Sequence, residues 1–498
     1  MVKLEDVSSS LLQKPSSNSN DSEIPLERRQ SSYKSLKTFA LDKEKQYQQQ
    51  YGDMYFLRLT KIKPAVEEIA STAFGDLVIG GEPARQVPRV LDVRQGELCW
   101  VAGTVYMDMP LKPSILEDVA KDRWISAPTS VQKYFSKDGR DSILLEDDSG
   151  RVRLVGDILK SVVLVTGCII AVMGTENASG EFEVIDLKFP DLAPQPERWS
   201  LSKPADDDVE MGNGGYSSNR GKTAILSGLN FSSTDTSYAM ELNLLLEYLL
   251  GDALDPIAQK DISQISRLIV AGDSISPDTG KPAAEEEVAG KKVHKKYGYD
   301  ASSYNPIPSQ LLDEFLSELL PTIPVTFLPG AHDPANASYP QQPIHPAMFT
   351  KSRTYSALPG PTAEPGWFDT VTNPWEGEVE GWRVLGTSGQ NVDDVFKYVD
   401  SDDRLGMMEA MCRWRCSAPT APDTLWSYPF QDDDPFVMNQ CPHLYFVGNQ
   451  PEFGTKTITG TEGQEVRLIT VPTFSASREL VLVDNETLEV TRVKISAT

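Results

Sequence analysis

The stretch LIVAGDSIS (residues 268–276) decides the fold of this chain. Its first four residues are apolar and are followed at once by Gly272, which is typical of a strand that is buried on both faces and ends in a sharp turn. Asp273 is therefore expected to project from the edge of a sheet. Three other stretches have the same design: AILSGLN (224–230), FLPGAHD (327–333) and LYFVGNQPEF (444–453). Helical leucine patterns lie between the first three of these apolar runs, and this alternation predicts a parallel or mixed α/β sheet.

The order of these four strand-to-turn junctions is typical of phosphoesterases that use two metal ions. Such a site holds two cations about 3.5–4 Å apart, and the expected motifs are Asp-x-His, Gly-Asp-x-x-Asp, Gly-Asn-His-Asp and Gly-His-x-His. The corresponding positions in this chain are Ser227, Leu229, Gly272, Asp273, Ser276, Gly330, Ala331, His332, Asp333, Gly448, Asn449 and Pro451. Most metal ligands are absent, and Asp273, His332 and Asp333 alone cannot enclose two hard cations. The sequence therefore predicts an inactivated site with no catalytic residue, no metal and no cofactor.

Length and charge limit the classes of protein that this chain can represent. The 498 residues predict two or three domains. The net charge of -25 disfavours a surface that grips phosphate backbones unaided. The N-terminus has no apolar core of signal-peptide length and no uncharged run could span a bilayer, so we expect an intracellular, soluble protein without membrane contact.

Changes in composition along the chain predict five segments. Residues 1–38, rich in Ser and Asn, are expected to form a disordered tail. Residues 39–84 are expected to be helical, with breaks near Gly52 and at Pro64, and to pack onto the next domain. An OB-fold domain over 85–202 and an acidic, Gly-rich linker over 203–222 precede an inactive phosphoesterase-like domain over 223–498.

The OB assignment depends on about five short strands, two of them joined by a hairpin at DDSG (147–150). OB barrels often bind single-stranded nucleic acid, which requires a basic groove with stacking aromatic side chains. Residues 85–200 contain 14 Lys and Arg against 18 Asp and Glu. This balance favours a barrel that docks protein over one that grips DNA.

Two further patterns have alternative interpretations. Cys412, Cys416, Cys441 and His443 could ligate one zinc ion, but the cysteine spacing also fits one buried face of a helix, and small buried side chains are the favoured interpretation. The basic run KKVHKK (291–296) is either a nuclear-import signal or a solvated loop.

Five long strings carry a resemblance to a known family: LIVAGDSIS, FLPGAHDPANASYPQQPIHPAMF (327–349), VLGTSGQNVDD (384–394), SAPTAPDTLWSYPF (417–430) and CPHLYFVGNQPEFGTK (441–456). Over about residues 40–495 the chain resembles the small regulatory, B-type subunits of replicative DNA polymerases, in particular the second subunits of DNA polymerase delta. The resemblance implies an OB-type barrel packed on an inactivated calcineurin-like phosphoesterase α/β sandwich. It also implies a non-catalytic scaffold in nuclear DNA replication that touches DNA only indirectly. Such a subunit holds the C-terminal metal-binding domain of the catalytic subunit and a third, elongated subunit.

Two other functions remain open from the residues. One is a residual nuclease or other hydrolase with a single metal at Asp273, His332 and Asp333. The resemblance implies that archaeal relatives keep the metal ligands and are nucleases, and this sequence departs from them at all four junctions. The other is a single-stranded DNA-binding module. For the scaffold, the candidate exposed interface anchors are Trp375, Trp382, Trp414 and Trp426, and each of them could equally well fill the core.

Overall fold

A computed structural model describes residues 28, 30–42, 51–113, 133–198, 221–251, 255–276, 305–357 and 366–496. The tail up to residue 27, most of the acidic linker and the basic run 291–296 lie outside these residues. The predicted disorder is wrong at the end of the tail. Tyr33–Leu36 form strand β1, because an edge strand of a sheet is available for them to pair with.

The junction stretches lie in two six-stranded sheets. Sheet I has the strand order β13 (Phe368–Thr370), β12 (Val325–Leu328), β11 (Ile265–Ala271), β10 (Lys222–Leu226), β19 (Glu479–Asp484) and β20 (Val490–Lys494). Sheet II has the order β1, β14 (Trp375–Val379), β15 (Trp382–Thr387), β16 (Leu444–Gln450), β18 (Glu465–Pro472) and β17 (Gly454–Thr459). Strands β10 to β13 are parallel, as are β15, β16 and β18, which confirms the predicted mixed α/β architecture.

The two sheets pack against each other through one apolar core. Ile225 and Ile269 of sheet I contact the same cluster as Phe446 and Ile469 of sheet II, and all four are fully buried. Every residue of β11 is buried, as its unbroken apolar sequence predicts. The facing sheets therefore bring the ends of their parallel strands to a common edge.

Helices cover the outer faces of both sheets. The α-helices of the described residues are α1 (Tyr51–Phe74), α2 (Ala239–Leu250), α3 (Pro256–Ser263), α4 (Ile307–Leu319), α5 (Gln390–Tyr398), α6 (Arg404–Arg413) and α7 (Phe474–Ser477), of which α1 packs elsewhere. The leucines of α2 and α4 pack on sheet I, whereas α5 and α6 pack on sheet II. No helix in the described ranges is both long and apolar enough to cross a membrane.

A third sheet holds the strands predicted between residues 85 and 202. Its order is β4 (Arg85–Gln86), β5 (Cys99–Asp108), β6 (Ser142–Glu146), β7 (Arg151–Val155), β9 (Glu181–Lys188) and β8 (Ile169–Glu176), and β5 also pairs with β8. Among the strands β5 to β9 each thus pairs with two others, and β5 also pairs with β4. A small ladder of β2 (Val78–Ile79) and β3 (Glu82–Pro83) precedes them.

Helix α1 joins this third sheet to the rest of the molecule. Its residues Leu59, Ile62 and Val66 pack against Trp100 and Ile169 of the sheet, which confirms the predicted packing. The predicted break at Pro64 does not occur. Pro64 is exposed and lies on the solvent side, where water can satisfy the carbonyl group that loses its helical donor.

A buried ion pair fixes α1 to the loops beyond sheet II. Arg58 Nε lies 2.8 Å from Asp434 Oδ2, and both side chains are almost completely buried. Arg58 Nη1 also donates to the carbonyl oxygens of Pro419 and Ala421, at 2.7 and 2.9 Å. These contacts hold the third sheet and the two-sheet body in one orientation.

Candidate functional site

The four predicted junctions meet in one cleft at the common edge of sheets I and II. The cleft has a volume of about 550 Å³. It is lined by polar side chains from both sheets: Asn230, Asp235, Ser237, Tyr238, Asp273, Ser276, His332, Ser388, Gln390, Asp393, Asn449, Thr473 and Ser475, with Ala331 beside them. Five of the twelve positions singled out in the sequence, Asp273, Ser276, Ala331, His332 and Asn449, line this cleft.

Close approach of the backbone explains the glycines at the junctions. Gly272 has φ 78°, and a Cβ atom there would lie 2.3 Å from Ser388 Oγ and 2.7 Å from Gly330 Cα. A Cβ on Gly330 would lie 2.2 Å from Asp273 N. Only glycine permits these turns to pack directly against each other.

Asp273 and His332 pair with each other across the cleft. Asp273 Oδ1 accepts a hydrogen bond from His332 N at 3.0 Å, and Asp273 Oδ2 lies 3.0 Å from His332 Nδ1. The side chain of Asp273 is 13% exposed and that of His332 is 51% exposed. The hydrogen bond to Asp273 raises the pKa of His332 above its usual value, against the opposing effect of burial. The Asp273 side chain therefore favours the protonated form of the His332 imidazole.

Asp333 is turned away from the cleft into its own loop. It accepts hydrogen bonds from the backbone N–H groups of Ser274 and Ile275, both at 2.9 Å, and of Gly330 at 2.8 Å. Burial and the nearby carboxylate of Asp273 raise the pKa of Asp333 to about 7, although the three N–H donors favour the charged form. Asp333 thus joins the Gly272 junction to the Gly330 junction.

Asn449 and Ser227 tie sheet II to sheet I at the remaining two junctions. Asn449 has φ 55°, and its backbone N–H donates to Ser227 Oγ at 2.8 Å. Its side-chain Nδ2 donates to the carbonyl oxygens of Ala271 and Ser388, at 3.2 and 2.9 Å. An Asn at this position therefore joins the ends of three strands.

A network of side-chain amides supports the cleft from below. Gln341 Nε2 donates to the carbonyl oxygen of Gly330 at 2.9 Å, and its Oε1 accepts from Asn373 and Gln390. Asn373 Oδ1 in turn accepts from the backbone N–H of Ser388 at 3.0 Å. This network was missed from the sequence, since its members come from three separate segments and follow no local spacing.

The arrangement does not fit two metal ions. His332 Nδ1 is engaged by Asp273, and all three hydrogen bonds to the Asp333 carboxylate come from backbone N–H groups. Leu229 is buried in the apolar core of sheet I, and Pro451 does not line the cleft. Across the residues placed by the structure, no group of three or more His, Cys, Asp or Glu side chains could hold a metal ion.

The candidate zinc residues do not converge either. Cys412, Cys416 and Cys441 are buried free thiols in the apolar core beside α6. His443 Nδ1 accepts a hydrogen bond from the backbone N–H of Arg383 at 3.1 Å, and its ring packs edge-on against Trp382. The predicted interpretation as small buried side chains agrees with this environment.

The four candidate tryptophan anchors have different environments. Trp375 and Trp414 are 0% and 1% exposed, so of the two alternatives the structure supports the core for both of them, and neither is an exposed anchor. Trp382 is half-buried and donates to the carbonyl oxygen of Asn485 at 2.7 Å. Trp426 is 59% exposed. Trp426 is therefore the strongest of the four as an interface residue.

Comparison with models of known protein families shows the class of protein to which this chain belongs. Residues 223–455 match the family of DNA polymerase alpha/epsilon B-type subunits, and residues 50–187 match the DNA polymerase delta subunit OB-fold domain. The chain thus has the two parts of a B-type polymerase subunit, and the cleft described above lies largely within the first match.

Comparison with individual relatives shows to which family of B-type polymerase subunits the chain belongs. The chain is 34% identical to the DNA polymerase delta small subunit of Saccharomyces cerevisiae, over 91% of each chain. It is 35% identical to the small subunit of Arabidopsis thaliana over 94% of this chain and 96% of the relative, and 31% identical to DNA polymerase delta subunit 2 of Drosophila melanogaster over 94% and 98%. The chain belongs to the family of DNA polymerase delta small subunits, which are accessory subunits of a replicative polymerase.

Proposed function

We propose that this protein is a non-catalytic scaffold of DNA polymerase delta in the nucleus. In this role it holds the C-terminal metal-binding domain of the catalytic subunit and a third, elongated subunit, and it meets DNA only through the assembly. The observation that carries the proposal is that the polar groups at the cleft form hydrogen bonds within the chain. Asp273, His332, Asp333 and Asn449 all bind neighbouring parts of the chain and so stabilise the fold.

We further propose that the two-sheet body is a calcineurin-like phosphoesterase sandwich that has lost its metal ligands. The facing sheets, with the four junctions at one edge, support this assignment. The ring of pairings from β5 through β9 supports an OB-type barrel for the third sheet. The proposed domain limits remain 39–84, 85–202 and 223–498, with a tail before and an acidic linker between the last two.

Charge supports protein partners over nucleic acid. The chain carries 72 acidic and 47 basic residues. A basic, metal-bound partner domain would complement this surface and associate faster at low ionic strength. A complex of this kind typically buries well over about 1,000 Å² in total.

Co-expression with the catalytic subunit tests the scaffold. We expect a stable complex in size-exclusion chromatography, with an association rate that falls as salt rises. Trp426→Ala is compared with the unchanged chain, and we expect the variant to bind more weakly, because an aromatic anchor commonly contributes more than about 1 kcal/mol. A chain that remains alone beside the catalytic subunit at low salt would refute the proposal.

A phosphodiesterase assay tests the loss of catalysis separately. We expect no cleavage of single-stranded DNA or a small phosphodiester in excess Mn²⁺, because metal-assisted hydrolysis needs a metal-bound hydroxide. Cleavage that disappears in Asp273→Ala would overturn the non-catalytic assignment while leaving the scaffold role intact.

A further inference from the structure

A short hairpin at the C-terminal end of α1 exposes three consecutive apolar side chains. We call residues 75–84 the α1 hairpin, and it contains β2 and β3. Leu77, Val78 and Ile79 are 37%, 59% and 39% exposed. Among the described residues, no other run of three consecutive large apolar side chains is exposed. Such a run lowers solubility, and protein surfaces avoid it unless the side chains have a function.

The base of the α1 hairpin is fixed to the core, whereas its tip is surrounded by solvent. The backbone N–H of Leu77 donates to the carbonyl oxygen of Phe74 at 3.0 Å, and that of Ala84 donates to the carbonyl oxygen of Leu77 at 2.9 Å. Phe74 and Ala84 are both buried in the apolar core between α1 and the third sheet. At the tip, Gly80 and Gly81 have φ 63° and 91°, and a Cβ atom on either would meet no atom within 4 Å. Two positive φ angles are typical of a tight two-residue hairpin turn, so the apolar side chains are held in a defined geometry.

The pairing of the two strands limits how a partner can contact this hairpin. Val78 is opposite Pro83, and Ile79 is opposite Glu82. Pro83 has no N–H group to offer to an added strand, and a proline is typical of a strand edge that is not extended. Leu77 and Ile79 lie on one face of the hairpin and Val78 lies on the other, because side chains alternate along a strand. A partner would therefore surround the side chains of the hairpin, as a pocket does, and would not continue its sheet.

Charge limits the kind of partner that fits. Residues 75–84 contain Asp76 and Glu82 and no Lys or Arg, and these two carboxylates border the two ends of the apolar run. The next basic residue along the chain is Arg85, and its Nη1 lies 4.0 Å from Glu97 Oε2. A second copy of this chain with its net charge of -25, a nucleic acid and an anionic lipid surface would all be repelled. A protein surface that carries basic side chains would be attracted.

We propose that the α1 hairpin inserts Leu77, Val78 and Ile79 into an apolar pocket, rimmed by lysine and arginine, on another subunit of the polymerase. This inference rests on the scaffold function proposed above. The aliphatic side chains would leave water on entering the pocket, and the carboxylates of Asp76 and Glu82 would meet the basic rim. The hairpin would act as one anchor within a larger interface, since a few residues that fill pockets commonly supply most of the binding energy.

Biolayer interferometry with the full chain immobilised tests the hairpin. The catalytic subunit and the third subunit of the polymerase are titrated separately. Val78→Asp should weaken the binding of one of them tenfold or more, the equivalent of at least about 1.4 kcal/mol, because it would place a charge in the apolar pocket. Ile257→Asp is the matched control: Ile257 is 79% exposed on α3, and its substitution should leave binding unchanged. Circular dichroism checks that each variant is folded.

Glu82→Lys provides a second readout. It should slow association with the same subunit at low salt, and this difference from the unchanged chain should disappear at high salt. Glu247→Lys makes the same change in net charge on the exposed face of α2. It should have a smaller effect, because the basic rim lies at the hairpin.

The unchanged chain separates the two proposals. If it binds a subunit and Val78→Asp binds that subunit equally well, the hairpin proposal is wrong and the scaffold function stands. If the unchanged chain binds neither subunit, the scaffold function is refuted and the hairpin proposal with it. Self-association in sedimentation velocity that Val78→Asp abolishes would also overturn the hairpin proposal, because the hairpin would then join two copies of this chain.

Discussion

Replacing Arg58 with Met should destabilise the protein severely. The substitution removes the donor to Asp434, whose side chain is 0% exposed, and leaves its carboxylate with one remaining contact, the backbone N–H of Phe436 at 3.0 Å. It also removes the donor to the carbonyl oxygens of Pro419 and Ala421. Breaking a buried ion pair from one side typically costs about 3–5 kcal/mol, because the remaining charge stays buried without compensation.

Lys61 provides a matched control on the same helix. It pairs with Asp433, whose side chain is 63% exposed, so the neighbouring ion pair is largely solvated. Lys61→Met should therefore change the free energy of unfolding by less than about 1 kcal/mol. The comparison separates the effect of burial from the effect of removing a positive charge from α1.

Urea unfolding, followed by tryptophan fluorescence and by circular dichroism, measures both variants. The two signals are compared because a chain of several domains need not unfold in one step. Adding Asp434→Asn to Arg58→Met should cost less than the sum of the two single substitutions, since the double variant buries no charge. Equal costs for Arg58→Met and Lys61→Met would refute this reasoning.

Three other predictions concern the cleft and the core. In an NMR titration His332 should have a pKa above 6.5, and Asp273→Asn should lower this pKa. Because the folded state binds the imidazole proton more tightly than the unfolded state does, the ion pair contributes fully to stability below pH 6.5. This contribution is lost as the pH rises through the pKa of His332 in the folded state. Gly272→Ala should lower the urea midpoint by more than the equivalent of about 1 kcal/mol, since its φ is 78° and Ser388 Oγ blocks the new methyl group; an unchanged midpoint would contradict the packing described. Trp414→Ala should cost about 3–5 kcal/mol and Trp426→Ala far less, and similar values in the same unfolding assay would show that their burial does not differ.

The central strands could be predicted from the sequence because the unbroken apolar residues of each strand indicate that it is buried. Strands β10, β11 and β12 are short apolar runs that end at Gly or Ser, and the α/β pattern around them fixes their parallel order. The hairpin of β6 and β7 was equally local, since Asp147 organises its turn with Oδ1 contacts to Ser149 and Gly150. Sequence patterns were sufficient to predict the structure where it depends on residues that are close together in the sequence.

Contacts between distant segments could not be predicted. Thr234 and Asp235 are residue types typical of a helix N-cap, but α2 begins after Tyr238, and Asp235 accepts a hydrogen bond from the backbone N–H of Ser237 in a preceding turn. The roles of Asn373 and Gln390 depend on Gln341, which no spacing rule connects to them. At the cleft the sequence patterns pointed to the strand ends, whereas the hydrogen bonds among their side chains required the three-dimensional arrangement.

Strand β1 has a practical consequence for how this protein can be shortened. It covers the outer edge of β14, and its Tyr33 ring lies over the buried guanidinium of Arg267 at 3.6 Å. A chain trimmed beyond residue 36 would expose the N–H and C=O groups of β14 as a template for another strand, and it would remove the ring that covers Arg267. Self-association of such a fragment would then result from the missing edge strand of sheet II. It should not be interpreted as affinity for a natural partner.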